Sequence, residues 1–175
     1  MSIHHHFYMD TVAARHELRD TLVGAGIGLE ADADMTGRPD GLPDLSGAVS
    51  AATSVTILDE RDYSWMPDNG VLPTRRILFS DRGAGQEFEA QTTRGVVALL
   101  RAFPDADAYW TAYDAERPVL LRRRGRLVLA QAQTVGGRHW DAERQPYLAL
   151  MDLPYSVESL GPWEYGPVRA PAAAE

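Results

Sequence analysis

The 175-residue chain contains no cysteine and no lysine; all 17 of its basic residues are arginine, and Asn69 is its only asparagine. Without cysteine there is no disulfide staple, no thiolate nucleophile and no zinc–thiolate centre. Without lysine, every mechanism that needs an amine nucleophile or a phosphate-loop lysine is closed. Lysine and asparagine use AT-rich codons, so their scarcity reflects a GC-rich coding sequence before it reflects chemistry. Arginine in their place still matters, because its planar fork of donors pairs bidentately with carboxylate or phosphate. No apolar run approaches the roughly 18 residues of a membrane helix. The start, Met1-Ser2-Ile3-His4-His5-His6, lacks the basic-then-apolar pattern of a secretory signal. The expectation is a soluble cytoplasmic protein without membrane association.

What is present is ordinary globular composition, 45% hydrophobic and 24% charged, enough for a packed core. The net charge of −8 lacks the basic footprint that general nucleic-acid binding requires. The excess is local: residues 1–72 hold 12 Asp/Glu against 4 Arg, whereas residues 73–175 hold 13 of each. An acidic surface in the first part attracts a basic partner and speeds the encounter; it also serves solubility alone.

Periodicity sets the expected elements. Ile3–Met9 reads as a strand, followed by a helix from Thr11 to Val23 with Asp10 as N-cap and Ala14, Leu18 and Leu22 as its apolar stripe. Gly24-Ala-Gly-Ile-Gly28 follows a helix rather than opening one, so it reads as a C-cap and not as a phosphate loop. Residues 27–31 alternate as a strand, and 35–47 are turn chemistry. Val49 to Ile57 alternate as one long strand, 61–73 form a loop, and Thr74–Ser80 is a further strand. Gln86–Phe103 is the clearest helix, with Phe88, Thr92, Val96, Leu99 and Phe103 in phase and Pro104 as its stop. Ala108–Tyr113, Pro118–Arg122 and Arg126–Ala130 complete a meander. Its last two strands form a hairpin that sets Leu120 opposite Leu129 and Leu121 opposite Val128. Pro146 opens a short helix to Asp152. The expected fold is α+β, a two-layer sandwich of a mostly antiparallel sheet with two main helices on one face. Residues 1–165 make one domain, and 166–175 a flexible Pro/Ala-rich tail.

Chemistry is sparse. Neighbouring strand residues face opposite ways, so only His4 and His6 can share an ion, and whether they do is left open. His16 falls on the polar side of its helix. Asp40 and Asp44 lack the ligand density of a calcium loop. No nucleophile elbow or dinucleotide fingerprint occurs, so no catalytic residue, no cofactor and no enzymatic activity is assigned. Arg122-Arg123-Arg124-Gly125-Arg126 is read as a solvated hairpin tip. Tyr63, Trp65, Trp140, Trp163 and Tyr165 are loop aromatics of the kind that anchor protein interfaces, or they close over the sheet as core.

The runs Thr74-Arg-Arg-Ile-Leu-Phe79, Glu87-Phe-Glu89, Val96-Val-Ala-Leu-Leu-Arg101 and Pro118-Val-Leu-Leu-Arg-Arg-Arg-Gly-Arg-Leu-Val-Leu129 resemble the C-terminal half of the Sit-type immunity proteins of polymorphic toxin systems, over residues 74–131. The resemblance implies a small bacterial immunity protein, an antitoxin that binds one cognate toxin and occludes it. It carries no catalytic residues. The acidic residues Asp32, Asp34, Asp40, Asp44, Asp59, Glu60 and Asp62, with Tyr63 and Trp65 as anchors, are the expected partner-binding surface for a toxin with a basic face. The protein itself is expected to be a monomer or weak homodimer. A small enzyme or His-dependent metal protein, and a self-assembling scaffold module, are the competing readings.

Overall fold

A computed structural model describes residues 4–27, 46–49, 52–59, 66–67, 69–112, 117–131, 134–135, 138–139, 152–160, 163 and 165–166. Its elements in chain order are β1 (His4–Asp10), α1 (Arg15–Gly24), β2 (Ser46–Val49), β3 (Thr53–Asp59), β4 (Met66–Pro67), β5 (Arg75–Asp81), α2 (Gln86–Ala102), β6 (Asp107–Ala112), β7 (Arg117–Arg123), β8 (Arg126–Ala130), β9 (Thr134–Val135), β10 (Arg138–His139), β11 (Ser156–Glu158) and β12 (Tyr165–Gly166). Eight strands form one sheet in the order β11-β8-β7-β6-β1-β5-β3-β2. Every neighbouring pair in it is antiparallel except β11 on β8. The fold is thus α+β and mostly antiparallel sheet, with both helices on one face.

That face carries the core because strand side chains alternate. Phe7, Met9, Val55, Ile57, Ile77, Phe79, Ala108, Trp110, Leu120 and Leu129 point at Leu18 and Leu22 of α1 and at Phe88, Val96, Leu99 and Leu100 of α2, all buried in one cluster. On the opposite face Tyr8, Val71 and Tyr109 form a second buried cluster, with Leu121 and Trp163 packed against it. Tyr8 and Tyr109 stack at 4.5 Å, and Trp163 meets Tyr109 edge-on at 5.5 Å. Of the loop aromatics, Trp163 therefore closes over the sheet.

Several local expectations change. Helix α1 begins at Arg15, not Thr11, and Asp10 ends β1 instead of capping it. The connection is locked first: Thr74 Oγ1 accepts from Thr11 N at 3.0 Å and donates to Thr11 O at 2.6 Å. The carboxylate of Glu17 then accepts the Ala14 N–H at 2.7 Å, one turn later than the sequence suggests. The stretch from Val49 to Ile57 is two strands, since Val49 pairs with Ser54 across a reversal, and the register sets Ala48, not Val49, opposite Val55; the phase read as continuous from Val49 to Ile57 switches at the turn. Ser46 and Gly47 belong to β2 rather than to a loop. The segment 24–28 caps α1 as expected, but Gly24, the expected stop, is the last helical residue and the turn falls at Gly26, φ +76°, so that Ile27 N donates to Leu22 O. Of the strand expected over residues 27–31, Ile27 instead bonds back to α1 and the rest lies outside the described residues, as do 146–151 of the expected helix and 167–175 of the tail; Gly166, expected in the tail, pairs with Met66 in β12.

The ends of β1 and β6 hold a like-charge pair, Asp10 opposite Asp107. Burial, and then the charge of Asp107, raise the Asp10 pKa above its ordinary 3.8. A raised carboxylate pKa contributes stability below the ordinary value, and that contribution is lost as pH rises through the folded value. Ionised Asp10 therefore works against the fold at neutral pH. Asp10→Asn is expected to raise the urea midpoint at pH 7, with the gain vanishing below about pH 3.8; an equal gain at both pH values contradicts this account.

Candidate functional site

Of the nine residues expected to bind a partner, Asp59 is described; Asp32, Asp34, Asp40, Asp44, Glu60, Asp62, Tyr63 and Trp65 lie outside the described residues. Asp59 closes β3, where the core-facing phase of Val55 and Ile57 continues. Its carboxylate takes the fork of Arg15 at 3.2 Å and 2.6 Å and Arg75 at 3.1 Å. Arg75 is its register partner on β5, and Arg15 opens α1. Asp59 is half-buried, and its bidentate arginine pairing ties helix to sheet.

Asp59 is the last described residue before the run 60–65. After that run β4 pairs with β12, setting Met66 against Gly166 and Pro67 against Tyr165. Beyond it Asn69 is buried, and its side-chain carbonyl accepts the Val71 N–H at 3.0 Å. Val71 joins the Tyr8–Tyr109 cluster. The described residues on either side of 60–65 are thus fixed, Asp59 by ion pairs and Met66–Pro67 by strand pairing.

The three consecutive histidines divide as a strand requires. His5 points into the core, 2% exposed, its ring edge-on to Phe88 at 5.2 Å and tilted against Trp110 at 5.6 Å. Its Nε2 lies 3.4 Å from the Glu89 carboxylate on the first turns of α2. His4 and His6 share the other face. His4 Nδ1 is 2.9 Å from Ser80 Oγ on β5, and His6 Nδ1 is 3.5 Å from the Tyr8 hydroxyl. His16 is exposed on α1. Among the described residues, no group of three or more His, Asp or Glu side chains gathers where one metal ion could bind.

The arginine cluster at the β7–β8 hairpin is not simply a solvated tip. Arg122, in phase with Leu120, points under the sheet and is 5% exposed. It donates to the Ala106, Leu100 and Phe103 carbonyls at 2.7, 2.6 and 2.6 Å, closing the C-terminal end of α2. Arg123 lays its guanidinium against Gly70, where an added Cβ would collide with it. Arg124 and Arg126 are exposed; the Arg124 N–H donates to Asp107 at 2.6 Å. On the outer face of the helices an open groove of about 700 Å³ runs between α1 and α2, with Val97 and Ala98 in its lining. Arg94 and Arg101 also line it, and Arg101 is ion-paired with Asp152.

Two features escape a reading of the sequence, the His5–Glu89 pair and the Arg122 clamp. Each had a signal in strand phase, since His5 alternates with Phe7 and Met9, and Arg122 with Leu120. Searches of family models, curated proteins and solved structures give no match to this chain.

Proposed function

We propose that the chain is an immunity protein that neutralises a cognate bacterial toxin by covering its active or binding site. Three features support this reading. The resemblance over residues 74–131 takes in β5, α2, β6, β7 and β8, the scaffold half of the sheet. The acid excess lies in the other half, residues 1–72. The observation that carries the proposal is the anchoring of the residues that flank 60–65, Asp59 before it and Met66–Pro67 after it, since the acidic and aromatic run between them contains Tyr63 and Trp65. A recognition segment held at both ends loses less entropy on binding than a free one, and that saving appears as affinity. Its carboxylates would steer a basic toxin cleft into place, and the aromatic rings would supply the desolvated anchors. A basic surface is what a nucleic-acid-degrading toxin presents to its own substrate.

The test is binding and protection against the product of the adjacent gene. Asp59 stays unchanged in the variants, because it holds α1 to the sheet. Trp65→Ala is expected to weaken the complex at least about tenfold. Glu60→Gln with Asp62→Asn is expected to slow association and flatten its salt dependence. Retention of full affinity and protection by a variant carrying all three changes would reject this surface.

A further inference from the structure

We propose that the outer edge of β11 pairs with the same edge of a second copy of this chain, antiparallel and centred on Val157, so that the sheet runs on from one copy into the other. The toxin-binding proposal neither uses nor requires this contact. The argument starts from burial. Among the described residues, Val12, Tyr155 and Val157 are the large hydrophobic side chains left exposed. Two of them lie together: Val157 is 55% exposed in the middle of β11, and Tyr155 is 40% exposed two residues before it. A single exposed apolar side chain needs no explanation, whereas neighbouring ones mark an interaction surface.

The backbone at this place is turned outward as well. Among the described residues β11 ends the main sheet, with β8 on its inner side. An end strand offers its outward N–H and C=O groups to any strand that can pair with them. The ladder decides which residues offer them. Gln131 N donates to Glu158 O, so Glu158 faces β8. Successive strand residues turn their backbone groups to opposite edges, and Val157 therefore turns both of its own away from the sheet. The exposure of Val157 shows that solvent reaches this edge.

A second copy fits the edge because the edge is complementary to itself. In an antiparallel pair, two residues directly opposite exchange both hydrogen bonds. A two-fold axis through Val157 makes each copy's Val157 the donor and acceptor for the other's. Each Tyr155 then lies diagonal to the second copy's Val157, within reach for an aromatic contact with a β-branched side chain. Charge matches too. Arg126 and Glu158 are ion-paired within the chain, and Ser156 stands opposite Val128, two residues from Arg126 on β8. The two-fold sets each Glu158 opposite the second copy's Ser156, and so toward that copy's Arg126. Opposite charges thus meet across the axis. Such pairing uses each edge once, so association closes at two chains. β11 has three residues and Pro154 lies just before it, which keeps the contact short. A dissociation constant between about 10 µM and 1 mM is expected for so small an interface.

The experiment is sedimentation of the untagged full chain across that range of concentration. The expected result is a reversible rise in mass from one chain toward two. Val157→Lys puts like charges opposite each other at the axis and should weaken the dimer at least about tenfold. Val157→Pro removes an outward N–H that the β8 ladder does not use, and the same loss is expected. Arg126→Glu should weaken the dimer, and Arg126→Glu/Glu158→Arg should recover it. Val12→Ala, which alters the exposed hydrophobic residue elsewhere, should leave it unchanged. An unchanged urea midpoint for Val157→Lys separates loss of the contact from loss of the fold. Val157→Lys should also keep full protection against the toxin, so the two proposals fail separately. One mass at every concentration, growth beyond two chains, or a dimer undiminished in both Val157 variants overturns the proposal.

Discussion

Arg122→Met is expected to cost about 3–5 kcal/mol of stability, the penalty typical of breaking a buried charge-assisted cluster from one side. The last carbonyls of a helix have no partner within it. In α2 those of Leu100 and Phe103, with Ala106 just beyond, are met by one guanidinium at 2.6–2.7 Å. The positive charge also lies at the negative end of the helix dipole. Methionine keeps the apolar stem and the volume but removes every donor. The carbonyls of Leu100, Phe103 and Ala106 then lose their guanidinium donor, and that of Phe103 keeps the Ala106 N–H at 3.2 Å. Burial pushes the Arg122 pKa down while Asp107 and Asp105 pull it up, and an arginine so far from its titration range stays charged. Arg122→Lys should recover only part of the loss, since one ammonium cannot reach three carbonyls with the spread of a planar fork. Urea denaturation checks both variants, with a fall in thermal midpoint of roughly 10 °C for the methionine. A loss below about 1 kcal/mol would mean that water replaces the clamp at little cost.

Gly95→Val is expected to cost about 3 kcal/mol, at the upper end for overpacking a filled core. Helix propensity points the other way, because glycine inside a helix is about 1 kcal/mol worse than alanine. Packing decides. A Cβ at this position would lie 2.7 Å from Ile27 Cδ1, 3.0 Å from Leu22 Cδ2 and 3.1 Å from Phe79 Cε1. Those three atoms belong to the end of α1, its cap and the sheet, so relief in one direction tightens another. Gly95→Ala brings the same contacts without the two extra methyls, and a net loss of about 1 kcal/mol is expected. Ile27→Val removes the nearest of the three atoms. The double variant Gly95→Ala/Ile27→Val should therefore lose less than the two single losses combined, and strict additivity in a double-mutant cycle would contradict the close-approach account.

The functional reading rests on a surface whose charges a sequence can count but not pair. Asp59 stands in an acidic run with Glu60 and Asp62, and by local charge it belongs with them. Its true partners, Arg15 and Arg75, reach it only because α1 and β5 flank the end of β3. The same limit hid the His5–Glu89 pair, whose members lie in different elements and meet where α2 crosses β1. Conversely, the division of His4 and His6 from His5 was legible, because it follows from alternation alone.

What the chain determined by itself was local and periodic. Phe88, Thr92, Val96 and Leu99 mark the buried side of α2, and Arg124-Gly125 turns a hairpin whose Leu120–Leu129 and Leu121–Val128 pairs form as expected. Gly26 ends α1 because a left-handed residue is cheapest as glycine. Each of these depends on side chains a few residues apart, so covalent geometry transmits the information. The tertiary structure alone decided that β2 and β3 part between Val49 and Thr53, that Arg122 turns inward, and that Gly95 has no room for a methyl. Those outcomes depend on which surfaces meet after the sheet and helices pack. An arginine is placed there by the carbonyls it can reach, and a glycine by the atoms that crowd it, whatever their distance along the chain.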